Sequence, residues 1–444
     1  MPEIENLSHF VKWFRYSSPY INAHRGKTFV ILFDGETVED ENFSHLIHDF
    51  ALLNSLGIKL VLVHGARVQI EKQLSQSGVE THFHNNIRIT DSDALTCVKQ
   101  AVGAVRINIE AMLSMGVINS PMAGAKIRVC SGNFVVARPI GVIDGIDHCY
   151  TGEVRRIDNS SIHKLLDDGA IILLSSLGYS PTGEVFNLTA EEVATRVAES
   201  IKADKFIYLT EHTQLLDKQG EQIHQMTLSD ARTLLNENAL TNLKEQQNLR
   251  CAIDMSEKGI NRVHLIDRHI EGALLLELFS RNGVGCLITT DGYDTLRQAN
   301  IDDVGGILEL IEPMEQQGIL VRRSREHLEI EISHYIVLER DGMIIGCASL
   351  HPYENEKIAE LACLAIHDDY RNQSRGDYLL LNIEKDAQQK GYQKLFVLTV
   401  KTAHWFIEKG FTETDINDLP VQKQSIYNYQ RKSKVFMKSL TQSN

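Results

Sequence analysis

The stretch ELACLAIHDDYRNQSRGDYLLL, Glu360 to Leu381, reads as a strand, a turn rich in backbone donors and the start of a helix. Leu361, Cys363 and Ala365 alternate with Ala362, Leu364 and Ile366, the pattern of a buried or half-buried strand. From Tyr370 to Asp377 that pattern breaks: Arg371, Ser374, Arg375 and Gly376 precede the apolar helical face begun by Tyr378, Leu379 and Leu380. Such a turn aims free N–H groups at whatever lies above the helix N-terminus, and those donors and the helix dipole together favour a phosphate there. The same pattern also serves as an ordinary α/β connection.

Composition narrows the classes around this stretch. A chain of 444 residues exceeds one ordinary core and predicts two or three domains. No apolar run approaches the roughly 18–20 residues that span a bilayer, so a soluble protein is expected. MPEIENLSHFVKWF begins with acidic residues and has no apolar targeting core, which favours a cytoplasmic location. The seven cysteines, Cys97, Cys130, Cys149, Cys251, Cys286, Cys347 and Cys363, form no Cys-x-x-Cys pair and read as reduced thiols, with neither a disulfide frame nor a metal site. A net charge of −14 speaks against nucleic acid as a partner and requires local arginines for any anionic substrate. Arg322, Arg323, Arg325 and Arg431 in the last third supply them.

In chain order, residues 1–22 read as a helix with Leu7, Phe10, Val11 and Phe14 on one face and Pro19 at its end, either a surface helix or an oligomer-forming arm. From Lys27 strands alternate with helices: KTFVILF, the helix ENFSHLIHDFALLNSLG, then IKLVLVHGAR, with later strands expected at 126–130, 134–138, 170–174, 205–209, 262–266 and 286–289. Over 23–290 this predicts an α/β fold, an open, mainly parallel sheet sandwiched by helices. Its βα turns, Phe33-Asp34-Gly35-Glu36 and His64-Gly65-Ala66-Arg67, occupy the phosphate-binding positions of such sheets. DGYDTLRQAN, Asp291 to Asn300, opens a second domain, 291–444, with a helix at DDVGGILELIEPME, antiparallel strands SHYIVLERD and MIIGCASLHPY, the stretch above, QKLFVLTVKTAHWFIEKGF and a tail strand around 428–437. The expected class there is α+β.

Residues 20–290 resemble the amino acid kinase family, particularly the N-acetylglutamate kinases, through the two βα turns, FNLTAEEVATRVAESIKADKFIYLT and VHLIDRHIEGALLLELFSRNGVG. The family's Lys-x-Gly-Gly is here Leu32-Phe33-Asp34-Gly35, its three glycines are Gly65-Ala66-Arg67, its Asn-x-Asn-Ala-Asp is Asn187-Leu188-Thr189-Ala190-Glu191, and KEQQNLRC lacks its Gly-Gly-Met-x-x-Lys. Phosphoryl transfer needs positioned cations and close backbone approach, so the resemblance implies a kinase fold without kinase activity. It also implies an L-arginine effector site, with Glu277 for the guanidinium, the Asn282-Gly283-Val284-Gly285 turn for the carboxylate and His264 beside them. Without the resemblance, the segment reads as a helix with a glycine C-cap.

Arg371, Ser374 and Gly376 resemble the Arg/Gln-x-x-Gly-x-Gly/Ala pyrophosphate loop of the GCN5-related N-acetyltransferase (GNAT) superfamily, with Ser374 in place of the first glycine. The two domains in this order resemble the bacterial N-acetylglutamate synthases. The resemblance implies acetyl transfer from acetyl-CoA to L-glutamate, no tightly bound cofactor, feedback inhibition by L-arginine and a hexamer. Cys363, Leu364, Ala365 and Ile366 would present backbone to the pantetheine, and Arg371, Ser374, Arg375, Gly376 and Asp377 would hold the pyrophosphate. Cys363 is read as a packing residue, because direct transfer needs no acyl-enzyme. An amine acceptor arrives protonated, and Glu360 matches the family's general base. A coenzyme A thiol ionises near about 8.5, so its departure needs only a weak donor, for which Thr399 takes the family's serine position. Arg322, Arg323, Lys357, Arg431 and Ser433 are the candidates for the substrate carboxylates, planar arginine forks being the usual answer to them. The alternatives are a bifunctional synthase and kinase, and an arginine-responsive binding protein with an inactive acetyltransferase domain.

Overall fold

Strands β1 (Thr28–Phe33, TFVILF) and β2 (Lys59–His64, KLVLVH) are apolar without alternation, and all but the first residue of each is buried. Parallel strands covered on both faces select that composition. In the computed structural model the described residues are 2–85, 87–115, 122–211, 215, 216, 220, 222–236, 240, 242–280, 283–290, 294–340, 343–371 and 375–440, excluding the side chains of 2–10, 12, 243 and 369. They form two compact units, Met1–Gly292 and Tyr293–Asn444.

In the first unit β3 (Val129–Cys130), β4 (Ile171–Ser175), β5 (Lys205–Thr210), β6 (Gln225–Thr227), β7 (Arg262–Asp267) and β8 (Cys286–Thr289) complete the main sheet, in the order β6-β8-β7-β5-β1-β2-β4-β3. It is parallel except between β7 and β8. The strand expected at 134–138 forms as Val135–Pro139 but joins a separate four-stranded sheet. Its alternation gives the reason: Val135 and Ala137 are buried, the mark of a strand with one covered face.

Helix α1 spans Pro2–His24 and runs through Pro19, correcting the expected end at that residue. The side chains of Leu7 and Phe10, expected on its apolar face, lie outside the described residues. An interior proline removes a hydrogen bond and crowds the preceding turn. Here the helix is tied down on both sides of it. Ser17 Oγ donates to Phe279 O at 3.1 Å, and His24 Nε2 lies 2.9 Å from Leu278 O, at the end of α2 (Ala273–Phe279). Tertiary anchoring outweighs the local cost.

The second unit is built on β9 (Thr295–Gln298), β10 (Tyr335–Arg340), β11 (Met343–Tyr353), β12 (Ile358–Ile366), β13 (Lys394–Thr399), β14 (Thr412–Thr414) and β15 (Lys434–Ser439), in the order β9-β10-β11-β12-β13-β15-β14. Only β12 and β13 pair in parallel. Helices α3 (Val304–Gln316) and α4 (Arg375–Gln389) pack against β11 and β12. Gly346 permits the approach of α4: a Cβ there would lie 2.7 Å from Ile366 Cδ1 and 3.2 Å from Leu379 Cδ1. Arg297 anchors the opening strand by a bidentate pair with Asp303, both contacts 2.7 Å, and a third bond to Glu339. The tail strand starts at Lys434, later than 428, because Asn428 Oδ1 accepts the N–H groups of Gln430 and Arg431 and Lys432 takes a left-handed φ of +51°. That turn cannot pair with a neighbour.

Candidate active site

Two irregularities in β12 shape the second unit's cleft. Ser349 pairs with Ala362 but Cys347 with Ala365, so β12 carries one extra residue, and Cys363 absorbs it at φ +51°. Such a bulge kinks a strand and re-aims the residues beyond it. Pairing with β13 then stops at Leu361 and Val397, although β12 runs on to Ile366 and β13 to Thr399. The strands diverge beyond that point. A cleft of about 1520 Å³ lies there, lined by Leu361 to Ile366, Thr399, Arg371 and the first turn of α4.

Opened strand backbone offers amide groups to a ligand's own amides, and the N-terminus of α4 offers N–H groups and a positive dipole to a phosphate. A pantetheine diphosphate therefore fits this chemistry. Arg371 Nη2 is exposed, 2.6 Å from Asp368 Oδ1. Asp377 pairs with Lys409 at 2.7 Å, which offsets its charge in the first turn. A Cβ on Gly376 would lie 3.4 Å from Trp405 Cζ2, an ordinary packing distance. Arg375 is different: its side chain is buried, bonded through Nε to Asp294 Oδ2 at 2.5 Å and through Nη1 to Tyr370 O at 3.2 Å. Its guanidinium holds the fold, so it has only backbone to offer a phosphate. Ser374 lies outside the described residues.

Glu360 sits on β12 one residue before the opening and is 6% exposed. Its carboxylate takes Lys423 Nζ at 2.7 Å and Tyr353 Oη at 3.3 Å, both on Oε2. Burial, then Glu360 itself, pushes the Tyr353 phenol well above its usual range, so it stays a donor. Directly across on β11 stands His351, whose Nε2 is 3.0 Å from Ser349 Oγ. Burial lowers its pKa to about 4, with His334, Arg323 and Lys423 adding to that effect against Glu331, so it is neutral at pH 7. The sequence reading missed Lys423, Tyr353 and His351. The strand register would have placed His351, whereas Lys423 comes from a helix more than sixty positions away.

Thr399 Oγ1 accepts the N–H groups of Lys401 and Thr402 at 3.3 and 3.1 Å and lies 2.8 Å from Thr402 Oγ1. With its lone pairs so used, its proton points to Thr402 or to an acceptor in the cleft. Cys363 is buried, and its carbonyl lies 3.4 Å from Cys347 Sγ. The Cys347 hydrogen bond draws the Cys363 thiol below its ordinary range.

On the acceptor side the cleft brings Arg322, Arg323, Arg431 and Ser433 together. Arg431 Nη2 donates to Gly318 O at 3.2 Å and Ile319 O at 2.5 Å, while its buried Nε has no partner among the described residues. Burial first, then the neighbouring Arg323 charge, push its pKa below the usual arginine value. Arg323 Nη1 donates to Val321 O at 3.0 Å, and an anion bound beside the two arginines would offset the repulsion between them. Arg325 instead pairs with Glu329 along its own helix at 2.8 Å. Lys357 is a correction: it takes a left-handed φ of +56° in the turn before β12, its Nζ lies 3.5 Å from Glu354, and it does not line the cleft.

In the first unit Glu277 and His264 meet at 2.7 Å, Nδ1 to Oε1. Glu277 Oε2 accepts the N–H groups of Val284 and Gly285, both at 2.9 Å. Carboxylate and donor turn thus satisfy each other, and an amino acid entering here would exchange those bonds for its own. Gly283, at φ +61°, has no room for a Cβ beside Glu277 Oε2. Asn282 lies outside the described residues. Burial raises the Glu277 pKa, but the His264 hydrogen bond and charge and the two N–H donors outweigh it and hold it at about 2. Burial, then Lys205, lowers that of His264.

A carboxyl depressed from 4.5 to about 2 stabilises the folded state above pH 4.5 and loses that contribution as pH falls towards 2. Glu277→Gln is expected to cost the first unit about 2 kcal/mol at pH 7, the order of hydrogen bonds lost from a charged group. In thermal melts followed against pH, the gap between wild type and variant should narrow on acidification. A gap constant from pH 7 to pH 3 would remove the ionised Glu277 from the account.

The kinase-like turns are closed as well. A Cβ on Gly65 would lie 3.2 Å from Gly35 N, and Gln69 Nε2 donates to Gly35 O at 2.8 Å. Asp34 there is raised to about 7, by burial first and then by Glu36 and Glu191. The Lys244 cation acts against this rise. Among the described residues no three His, Cys, Asp or Glu side chains could hold a metal ion, and no helix is long and apolar enough to cross a membrane.

Residues 27–267 match the amino acid kinase family and residues 306–411 the acetyltransferase (GNAT) family. An amino-acid acetyltransferase of Azotobacter vinelandii is 52% identical over 97% of this chain and 99% of its own length. Another from Yersinia enterocolitica is 48% identical over 98% and 100%. Among solved structures, the N-acetylglutamate synthase of Neisseria gonorrhoeae complexed with coenzyme A and L-arginine aligns with a TM-score of 0.86 at 35% identity, covering 98% of this chain and 100% of that one. The same enzyme complexed with coenzyme A and N-acetyl-glutamate aligns at 0.60 with the same identity and coverage. With an opened acetyltransferase strand in one unit, a kinase-like sheet in the other and relatives matching through both, the chain belongs to the amino-acid acetyltransferases, the family that includes N-acetylglutamate synthase.

Proposed function

We propose that the protein transfers the acetyl group of acetyl-CoA to the α-amino group of L-glutamate, giving N-acetyl-L-glutamate and coenzyme A as the first step of arginine synthesis. The observation that carries this reading is the convergence, in one cleft, of an opened strand, the buried carboxylate of Glu360 and the neighbouring arginines Arg323 and Arg431. An amino acid with two carboxylates suits that pair. The Neisseria enzyme's complexes with coenzyme A and N-acetyl-glutamate support the same assignment.

Each group then has a role. The backbone from Cys363 to Ile366 holds the pantetheine, while Arg371 and the N–H groups at Arg375, Gly376 and Asp377, with Ser374, serve the pyrophosphate. Arg323 and Arg431, with Arg322 and Ser433 at the edge, orient the acceptor. Glu360 takes the ammonium proton, the freed amine attacks the thioester carbonyl, and the departing thiolate takes a proton from Thr399 or from water. Residues 1–290 serve as a kinase-inactive regulatory domain that responds to L-arginine around His264, Glu277, Gly283 and Gly285. The Neisseria complex with L-arginine supports that response. Val11, Trp13, Phe14 and Tyr16, exposed on α1, suit a hexamer built through this helix, in a cytoplasmic enzyme.

Thiol release from acetyl-CoA with L-glutamate, repeated with L-arginine, is the test. Turnover that falls with arginine is the expected result. Turnover indifferent to arginine would remove the sensor and keep the synthase, and no turnover despite coenzyme A binding would overturn the assignment.

A further inference from the structure

The amine nearest the proposed base belongs to the protein itself. Lys423 lies on α5 (Val421–Ser425), its Nζ 2.7 Å from Glu360 Oε2, and its side chain is 18% exposed within the cleft. An acceptor ammonium must occupy that place to hand its proton to Glu360. Lys423 is chemically the same kind of group, a primary amine, placed by a flexible four-carbon stem.

We propose that Lys423 is a self-acetylation site, used when acetyl-CoA is bound and the acceptor is absent. The inference rests on the reading of Glu360 as base and of the opened strand as the thioester site. Glu360 takes a proton from the Lys423 ammonium. The neutral Nζ attacks the thioester carbonyl carbon, a C–N bond forms, the C–S bond breaks, and the thiolate takes a proton from Thr399 or water. The second amine proton passes to solvent, and the products are Nε-acetyl-Lys423 and coenzyme A. Acetylation removes the positive charge from Glu360 and leaves an uncharged amide beside it. The modified enzyme would therefore meet glutamate with an obstructed acceptor site. Glutamate protects against this, because its own ammonium competes for Glu360.

Lys401 supplies an internal control: it lines the same cleft, is exposed, and stands two positions past Thr399. The full-length enzyme is incubated with acetyl-CoA without glutamate, digested, and each lysine followed by mass spectrometry. Acetylation of Lys423 is expected to run at least about a hundredfold faster than that of Lys401, the low end of what a positioned base contributes. Excess glutamate should suppress it, Glu360→Gln and Glu360→Asp should slow it, and Lys423→Arg should abolish it. Equal rates at Lys423 and Lys401, or no glutamate protection, overturns the proposal. Glutamate turnover is measured on the same preparation. Turnover without Lys423 acetylation overturns this inference alone, whereas Lys423 acetylation without turnover keeps it and removes glutamate as the acceptor.

Discussion

Glu360→Gln is expected to lower kcat with L-glutamate by about 10²- to 10⁴-fold, the usual contribution of a positioned general base, while coenzyme A binding persists. The amide keeps the shape of the side chain on β12 but accepts no proton. Its loss leaves Lys423, now facing a neutral group, inside the cleft. The deficit should shrink as pH rises, because more of the acceptor arrives already neutral and the base has less to do. That pH dependence separates a chemical role from a structural one. A deficit equally large at every pH, or appearing only in KM, would place Glu360 among the substrate-holding groups. His351, the nearest other base by register, would then be the next candidate despite a pKa near 4.

How much of the fold is legible in the sequence depends on how local each cause is. The strand, turn and helix around Glu360 are set by alternation over a few residues, and the structure places Glu360 and Cys363 to Ile366 along one wall of the cleft. The parallel sheet of the first unit is legible for the same reason, through unbroken apolar runs. Arg375 shows the limit. Its position in a basic turn points to phosphate, but its partner Asp294 lies 81 residues away and claims the guanidinium. Lys357 lies in a turn of positive φ with its Nζ beside Glu354, and local spacing does not encode that. The helix through Pro19 persists because its restraints come from Leu278 and Phe279. The mutual closure of Glu277 with Val284 and Gly285 is hidden in the same way: the sequence shows donors and acceptor, but not that they meet.

Arg431→Ala is expected to lower kcat/KM for glutamate by about 10- to 10²-fold, as loss of a charged hydrogen bond does, mostly through KM. Two functions of the side chain must be separated in reading that loss. Arg431 Nη2 ties down the Gly318 and Ile319 carbonyls, so truncation also loosens the wall of the cleft. Arg431→Lys keeps the charge and loses the fork, and should recover only part of the affinity, since a point charge does not replace two parallel N–H donors. The decisive comparison is an acceptor lacking the side-chain carboxylate. Wild type should discriminate strongly against it, and Arg431→Ala should discriminate less, because the group that reads the second charge has gone. Equal losses for both acceptors would mean that Arg431 supports the wall and that Arg323, the charge beside it, reads the carboxylate.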